Sequence, residues 1–354
     1  METKAIKGEK GKIIYALTLV DSGRNAVYLQ AKLLNSILGS TFNATTLIHS
    51  TKGLDKWSSL RELLLSQAPV IYHYASFDPY ATPFARRPNT IFVYHNQTPA
   101  HYFFKWRPQA ALLVFITDLQ LCLFPKDMQW VAVSEFNRQR LLEFRFKKVT
   151  VCPCIVTRKE TNSTSDKTKE PSVLFVGRIA PHKNCIELLS QVSKAAHILC
   201  HRVTLRIIGN VESGCLYGAA FKREIRRYVP DPWLDIQWYP VILSQEELDT
   251  LYTSSWLYVS MSLHEGFGLP VCEAIVRGTP ALYLECGGTE SILGEHGMVR
   301  LAEREQFWKY LVQLLESKSA REKLLNIQKS YALNYASPVI EKTIQSTYES
   351  LLRF

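Results

Sequence analysis

Glu265 and Glu273 stand eight positions apart in the run His264-Glu265-Gly266-Phe267-Gly268-Leu269-Pro270-Val271-Cys272-Glu273-Ala274. The apolar stretch Trp256-Leu257-Tyr258-Val259-Ser260 before it reads as a buried strand. Pro270 suits the first turn of a helix, where its missing N–H costs nothing. Gly278 and Pro280 mark that helix's end. The order is therefore strand, glycine loop, helix. A helix N-terminus offers unpaired N–H groups and a positive dipole end, which together bind phosphate. The backbone of Gly266, Phe267, Gly268 and Leu269 would supply the donors. Glu265 would sit at the mouth of that site, and Glu273, about one turn into the helix, would accept from vicinal hydroxyls. Phosphate donors beside hydroxyl acceptors suit a sugar nucleotide. A glycosidase carboxylate pair is the competing reading, and it conflicts with the phosphate-binding surroundings.

A second constellation lies upstream. Val173-Leu174-Phe175-Val176-Gly177-Arg178 is followed by Ile179-Ala180-Pro181-His182-Lys183-Asn184. Together, the two segments resemble the retaining glycosyltransferases of family 4, which have the GT-B fold. The E-x7-E of Glu265 and Glu273 is one signature, and a strand ending in Gly-Arg with a Lys five residues on is the other. The resemblance implies two Rossmann-like domains facing across a cleft, with Arg178 and Lys183 directed at the diphosphate. It implies a front-face mechanism in which the leaving phosphate takes the acceptor's proton, so no separate base is needed. A strand-end histidine of the family is matched by His95 in Val93-Tyr94-His95-Asn96, with His73 in Tyr72-His73-Tyr74 competing for its role. The family often has Gly-Gly after its first strand; here only Gly23 remains, in Asp21-Ser22-Gly23-Arg24, and its contact to phosphate is correspondingly less secure. Asp118 and Ser134 also match family positions, and a folding role suits each equally well. Gly287-Gly288-Thr289-Glu290 adds contacts or is a plain turn. No Asp-x-Asp is present, so no bound metal and no cofactor are expected, and Arg178 and Lys183 take a cation's place.

The elements that must position these residues alternate along the chain. Strands are expected at Lys12–Val20, Thr46–His49, Val70–His73, Thr90–Tyr94 and Trp130–Val133, with helices Ala26–Leu38 and Ser58–Gln67 between them. A second set follows at Val173–Val176, Thr204–Ile208, Ile236–Tyr239, Leu257–Ser260 and Pro280–Leu284. Ser134 is an N-cap, and Ser244-Gln245-Glu246-Glu247 is a capping box for the helix Glu246–Thr253. The domains expected are an acceptor-binding half, 1–157, a polar linker, 158–171, and a nucleotide-sugar half, 172–337. The last helix, 338–354, carries an apolar stripe and in the resembled fold crosses back onto the N-terminal domain.

Composition limits the alternatives. The 354 residues are 47% hydrophobic and 21% charged, too apolar for disorder and long enough for two cores. No run approaches the roughly 18 apolar residues a membrane span requires. The lysines before Ile13 and the short apolar run after it lack a cleavage site, so a first strand is expected, in a cytoplasmic chain. The eight cysteines then read as reduced thiols, and the Asn-x-Ser/Thr triplets at Asn43, Asn96 and Asn162 carry no glycan. Residues 1–170 hold 23 Lys and Arg against 13 Asp and Glu, while residues 171–354 hold 19 of each, so the whole excess of +10 lies in the first half. That half is a solvated basic surface or attracts an anionic partner. Tyr102-Phe103-Phe104-Lys105-Trp106-Arg107 mixes aromatics with cations as interfacial segments do, which points to peripheral contact with an anionic membrane at the inner face. No nucleic-acid fingerprint is present.

The reading that results is a hexose transfer from a nucleotide diphosphate sugar, UDP-glucose ahead of GDP-mannose. The acceptor would be a glycan or a lipid-linked glycan in bacterial envelope or exopolysaccharide assembly. A UDP-N-acetylglucosamine 2-epimerase-like isomerase and a non-enzymatic binder of anionic polymers are the alternatives.

Overall fold

The computed structural model describes residues 12–19, 26–50, 57–157, 167–211, 214–241 and 243–352. Two six-stranded sheets, every neighbouring pair parallel, are built from successive halves of the chain. The first contains β1 (Lys12–Thr18), β2 (Ala44–Ser50), β3 (Val70–Tyr74), β4 (Thr90–Tyr94), β5 (Gln129–Ala132) and β6 (Lys148–Val151). Its order is β2-β1-β3-β4-β5-β6. The second contains β7 (Ser172–Val176), β8 (Val203–Ile208), β9 (Leu234–Tyr239), β10 (Leu257–Ser260), β11 (Ala281–Leu284) and β12 (Met298–Val299). Read from its other edge, its order is β9-β8-β7-β10-β11-β12.

In a parallel sheet covered on both faces, central strands must be apolar throughout rather than alternating. The sequences VIYHY of β3 and TIFVY of β4 are buried at every position for this reason. Trp130 of β5 is fully buried among Tyr74, Phe92 and Phe146, with ring centroids 5.1–5.9 Å away. The two strands absent from the sequence reading, β6 and β12, are edge strands of four and two residues. Such short segments leave no periodicity to read.

Chain order reverses between β1 and β3 in the first sheet and between β7 and β10 in the second. In open α/β sheets, ligands bind outside the carboxyl ends of the strands at such a reversal. His73 is in register with Thr18 at the first switch point, and Leu174 with Tyr258 at the second. Gly23 lies outside the described residues, as does the 158–166 part of the linker. The linker's final residues are docked: Lys167 donates through Nζ to Ser255 O (2.5 Å) and Thr279 Oγ1 (2.8 Å).

The last helix, Val339–Leu351, lies against helix Ala26–Phe42 of the first half. Its buried Ile340, Ile344 and Tyr348 share a core with Leu34, Leu38 and Cys152. The chain's end therefore completes the N-terminal half. Ile344→Ala is expected to cost about 2–5 kcal/mol, the usual range for a fully buried large-to-small change. Denaturant unfolding followed by near-UV signals would check this, and an unchanged midpoint would show that the helix does not carry the core.

Candidate functional site

The second switch point assembles the sequence's two constellations. β7 ends at Val176, placing Gly177 and Arg178 directly after it. A 3-10 turn, Pro181–Lys183, follows, and Asn184 takes a left-handed conformation (φ 52°) before helix Cys185–Leu199. From the neighbouring strand, Leu263 N donates to His182 O at 2.7 Å and locks the two loops side by side. Lys183 Nζ then lies 2.5 Å from Glu265 Oε1, both side chains being 14% exposed. Glu265 is itself held at the backbone, donating to Cys286 O and accepting from Gly288 N. The sequence placed these two groups in one site, but not in contact. Arg178 is exposed beside them, close enough for its charge to act on His182.

The glycine loop follows Glu265. Gly268 has φ 86° and starts helix Leu269–Val276; a Cβ there would come 2.3 Å from Thr289 Oγ1. The backbone N–H groups of Gly266, Phe267, Gly268 and Leu269 donate to no described residue. They are the unpaired donors expected where a helix begins. The Phe267 side chain is buried, edge-on to Tyr335 at 5.6 Å. Glu273 lies one turn on, its Oε2 accepting from Tyr252 OH at 3.0 Å. Burial raises the Glu273 carboxyl above its ordinary value, with Arg277 acting the other way. Gly287 N and Cys286 N both donate to Glu290 Oε1, so this carboxylate caps its own loop.

The first domain meets this loop directly. Ser134 Oγ donates to Gly266 O at 2.7 Å and Asn137 Nδ2 to the same oxygen at 3.1 Å. Ser134 also accepts from Asn137 N as the cap of helix Glu135–Glu143. Asn96, at φ 77°, pairs with His264 Nε2 at 2.9 Å. Any side chain at position 266 would collide with Asn96, whose Cβ is 2.4 Å from where a Cβ would stand. The sequence marks Ser134 as a cap and as a match to a family position, but does not single out Asn96 or Asn137 as site residues. Nothing in a linear sequence marks a side chain as reaching a loop 130 residues away. Asp118, by contrast, pairs with Arg140 at 3.2 Å within the first domain.

His73 and His95 are partners rather than competitors. His73 Nδ1 lies 2.8 Å from His95 Nε2. His73 is buried, its Nε2 has no partner, and His95 is partly exposed at the end of β4. A proton on His73 Nε2 would be a buried donor without an acceptor, which costs the full desolvation of that group. The favoured tautomer puts the proton on His73 Nδ1, donating to His95. His95 then carries its own proton on Nδ1. Burial lowers both basicities, that of His95 to about 4. Burial also lowers His182, with Lys183 and Arg178 adding to the effect, and His264 to about 4. Among the described residues, no group of three His, Cys, Asp or Glu side chains is arranged to hold a metal ion.

Residues 156–331 match the family model of glycosyl transferases group 1. No curated protein matches the sequence. Among solved structures, a sucrose-phosphate synthase from Thermosynechococcus elongatus superposes with a TM-score of 0.73 at 14% identity, covering 96% of this chain and 99% of its own. A UDP-forming alpha,alpha-trehalose-phosphate synthase from Burkholderia vietnamiensis gives 0.70 at 14% identity, with 97% and 99% covered. Anabaena HepE, in complex with UDP and glucose, gives 0.69 at 13% identity, with 96% and 100% covered. The fold is GT-B, and the group 1 match spans the whole second switch point, from Arg178 to Glu273.

The four depressed histidines set a pH dependence. The unfolded chain takes up protons below about pH 6.5 that the folded chain refuses until about pH 4 at His95 and His264. Stability therefore falls as pH drops through that window, by about 1.4 kcal/mol per pH unit for each histidine engaged. The melting temperature is expected to drop steadily from pH 7 to pH 5. A flat profile would contradict the neutral, buried assignment.

Proposed function

We propose that the protein is a retaining, metal-independent glycosyltransferase moving a hexose from a nucleotide diphosphate sugar, with UDP-glucose the first candidate. The observation that carries this reading is the Lys183–Glu265 pair, set beside four undonated loop N–H groups at the second switch point. A nucleotide diphosphate provides what each group lacks. The loop N–H groups and Lys183 and Arg178 would take the phosphates, and fixed cations there stabilise the charge that develops as the glycosidic bond breaks. Drawn to phosphate, Lys183 would release Glu265 to the sugar. Glu273, steadied by Tyr252, would accept from the ribose hydroxyls. His95 would offer its Nδ1–H to the sugar from the opposite domain, held in that tautomer by His73. The leaving phosphate would take the acceptor's proton, so no general base is required. UDP is favoured because it is the nucleotide named with HepE and the one the Burkholderia synthase is described as forming.

The acceptor in this reading is a glycan or a lipid-linked glycan, in envelope or exopolysaccharide assembly on the cytoplasmic side. An epimerase-like activity differs in one respect: it would turn over a nucleotide sugar with no acceptor present. Product analysis with and without added glycan separates the two: an isomerised nucleotide sugar formed without glycan marks the epimerase, and UDP released with glycan marks the transferase.

Lys183→Ala is expected to lower turnover by about 10²-fold or more, the scale seen when a donor to developing charge is removed. Normal turnover in that variant would end the phosphate assignment. Glu273→Gln separates binding from folding. Because burial raises the Glu273 carboxyl, the charged form costs the fold stability as pH rises through its titration. Glutamine removes that cost and keeps an acceptor for Tyr252. The variant should melt no lower than the parent at pH 7, yet bind UDP-glucose about tenfold more weakly, from loss of a charged hydrogen-bond acceptor. Unchanged affinity by calorimetry would refute the ribose role.

A further inference from the structure

Helix Pro108–Leu123 of the first domain is apolar on both its inner and its outer face. Its inward face carries Ala111, Val114 and Leu121 with Thr117 and Gln120, the last two bonded to Phe77 N, Tyr74 OH and Asp78. Its outward face carries Leu112, Leu113, Phe115, Ile116, Leu119 and Leu123, exposed by 37–66%. Phe104, 53% exposed, stacks on Phe115 at 6.0 Å and extends the patch. Single exposed apolar residues need no explanation, but a contiguous row marks a surface that meets something. From Leu112 to Leu123 the row runs about 18 Å, at 1.5 Å per residue. No helix among the described residues is long and apolar enough to cross a membrane.

The charges around this face indicate what covers it. Lys105 is exposed at the helix's leading end, its Nζ 4.7 Å from the Trp106 ring. At the other end, Lys126 Nζ donates to Leu121 O and Cys122 O, and Lys147 N donates to Lys126 O. Residues 101–150 hold eight Lys and Arg against four acids. Three of those acids, Asp118, Glu135 and Glu143, are already paired to Arg140 or Arg138. An apolar row with cations at both ends matches a bilayer interface bearing anionic headgroups. A second copy fits poorly, since face-to-face contact would bring like charges together.

We infer that the face formed by Phe104 and helix Pro108–Leu123 docks the protein on an anionic lipid bilayer. Its leading end adjoins the domain boundary. Trp106 packs edge-on against Tyr217 of the second domain at 5.2 Å, and a cavity of about 360 Å³ opens there, lined by Tyr102, Lys105, Trp106, Asn184 and Tyr217. The bilayer would thus lie beside the mouth of the cleft. If the transferase reading holds, an acceptor anchored in lipid could enter there, and this one extension rests on that reading.

The test is co-sedimentation of the full chain with vesicles, without substrate. Binding is expected to phosphatidylcholine vesicles containing about one third phosphatidylglycerol, weakening as salt rises. Binding to pure phosphatidylcholine should be far weaker. Leu112→Ser with Leu119→Ser should lower the partition coefficient about tenfold or more, since each leucine withdraws apolar area from the bilayer. Both positions are exposed, and an unchanged melting temperature would confirm that the variant is folded. Failure of the parent to sediment, equal binding by the variant, or equal binding to neutral vesicles would overturn the proposal. So would a dimer, seen by light scattering, that the two substitutions dissolve. Because no nucleotide sugar is present, failure of the transferase reading would show separately, as absence of UDP release.

Discussion

The carbonyl of Gly266 is the point on which the site's geometry turns. Two side chains of the first domain, Ser134 and Asn137, donate to it. The peptide unit is planar and trans, so fixing that oxygen also fixes the next N–H, that of Phe267, in the opposite direction. These two contacts between domains therefore aim the Phe267 N–H. It also dictates the residue: Asn96 approaches so closely that position 266 has no room for a Cβ. The glycine is required by the neighbouring domain as much as by its own loop. Gly268 is required for a different reason, its positive φ and the nearness of Thr289.

Charge in the cleft is arranged around that loop. Lys183 and Glu265 satisfy each other, both largely withdrawn from water. Removing either partner of such a pair leaves a costly lone charge, so a ligand must offer Lys183 a replacement anion as it takes the lysine away. A diphosphate does this and a neutral sugar does not. The imidazoles nearby are kept uncharged by burial, and Lys183 and Arg178 add to that effect at His182. The His73–His95 pair adds direction without charge.

The outer surface of the first domain shows how hydropathy alone can mislead. The run from Pro108 to Leu123 is apolar on nearly every side, which ordinarily means burial. Here Ala111, Val114 and Leu121 are buried together with Thr117 and Gln120, which Tyr74, Asp78 and Phe77 N satisfy, and a second set of aliphatic side chains faces out. Composition was the same for either orientation. The polar partners on β3 and its following loop fix Thr117 and Gln120 on the inner side, and the apolar residues of the opposite side are left outside. The basic excess of residues 1–170, visible by counting, gains meaning once it frames that face.

Much of the architecture was legible. Alternating apolar strands and helices and the strand–glycine–helix order around Glu265 follow from local periodicity and turn chemistry, while the Gly-Arg-x4-Lys run was marked by its resemblance to a family signature. Both edge strands β6 and β12 escaped, because segments of two to four residues at a sheet's rim carry little pattern. So did every pairing between elements. Lys183 and Glu265 are 82 positions apart, His73 and His95 are 22, and Ser134 and Gly266 are 132. The sequence by itself determined which residue types were available and which ends of which strands would carry them, since backbone preference and hydrophobic pattern act over a few residues. Tertiary structure alone decided who touches whom: that two histidines share one proton, that a lysine is held by a glutamate, and that an apolar helix face meets the outside. Those outcomes depend on how two separately folded sheets are set against each other, and no local preference encodes that.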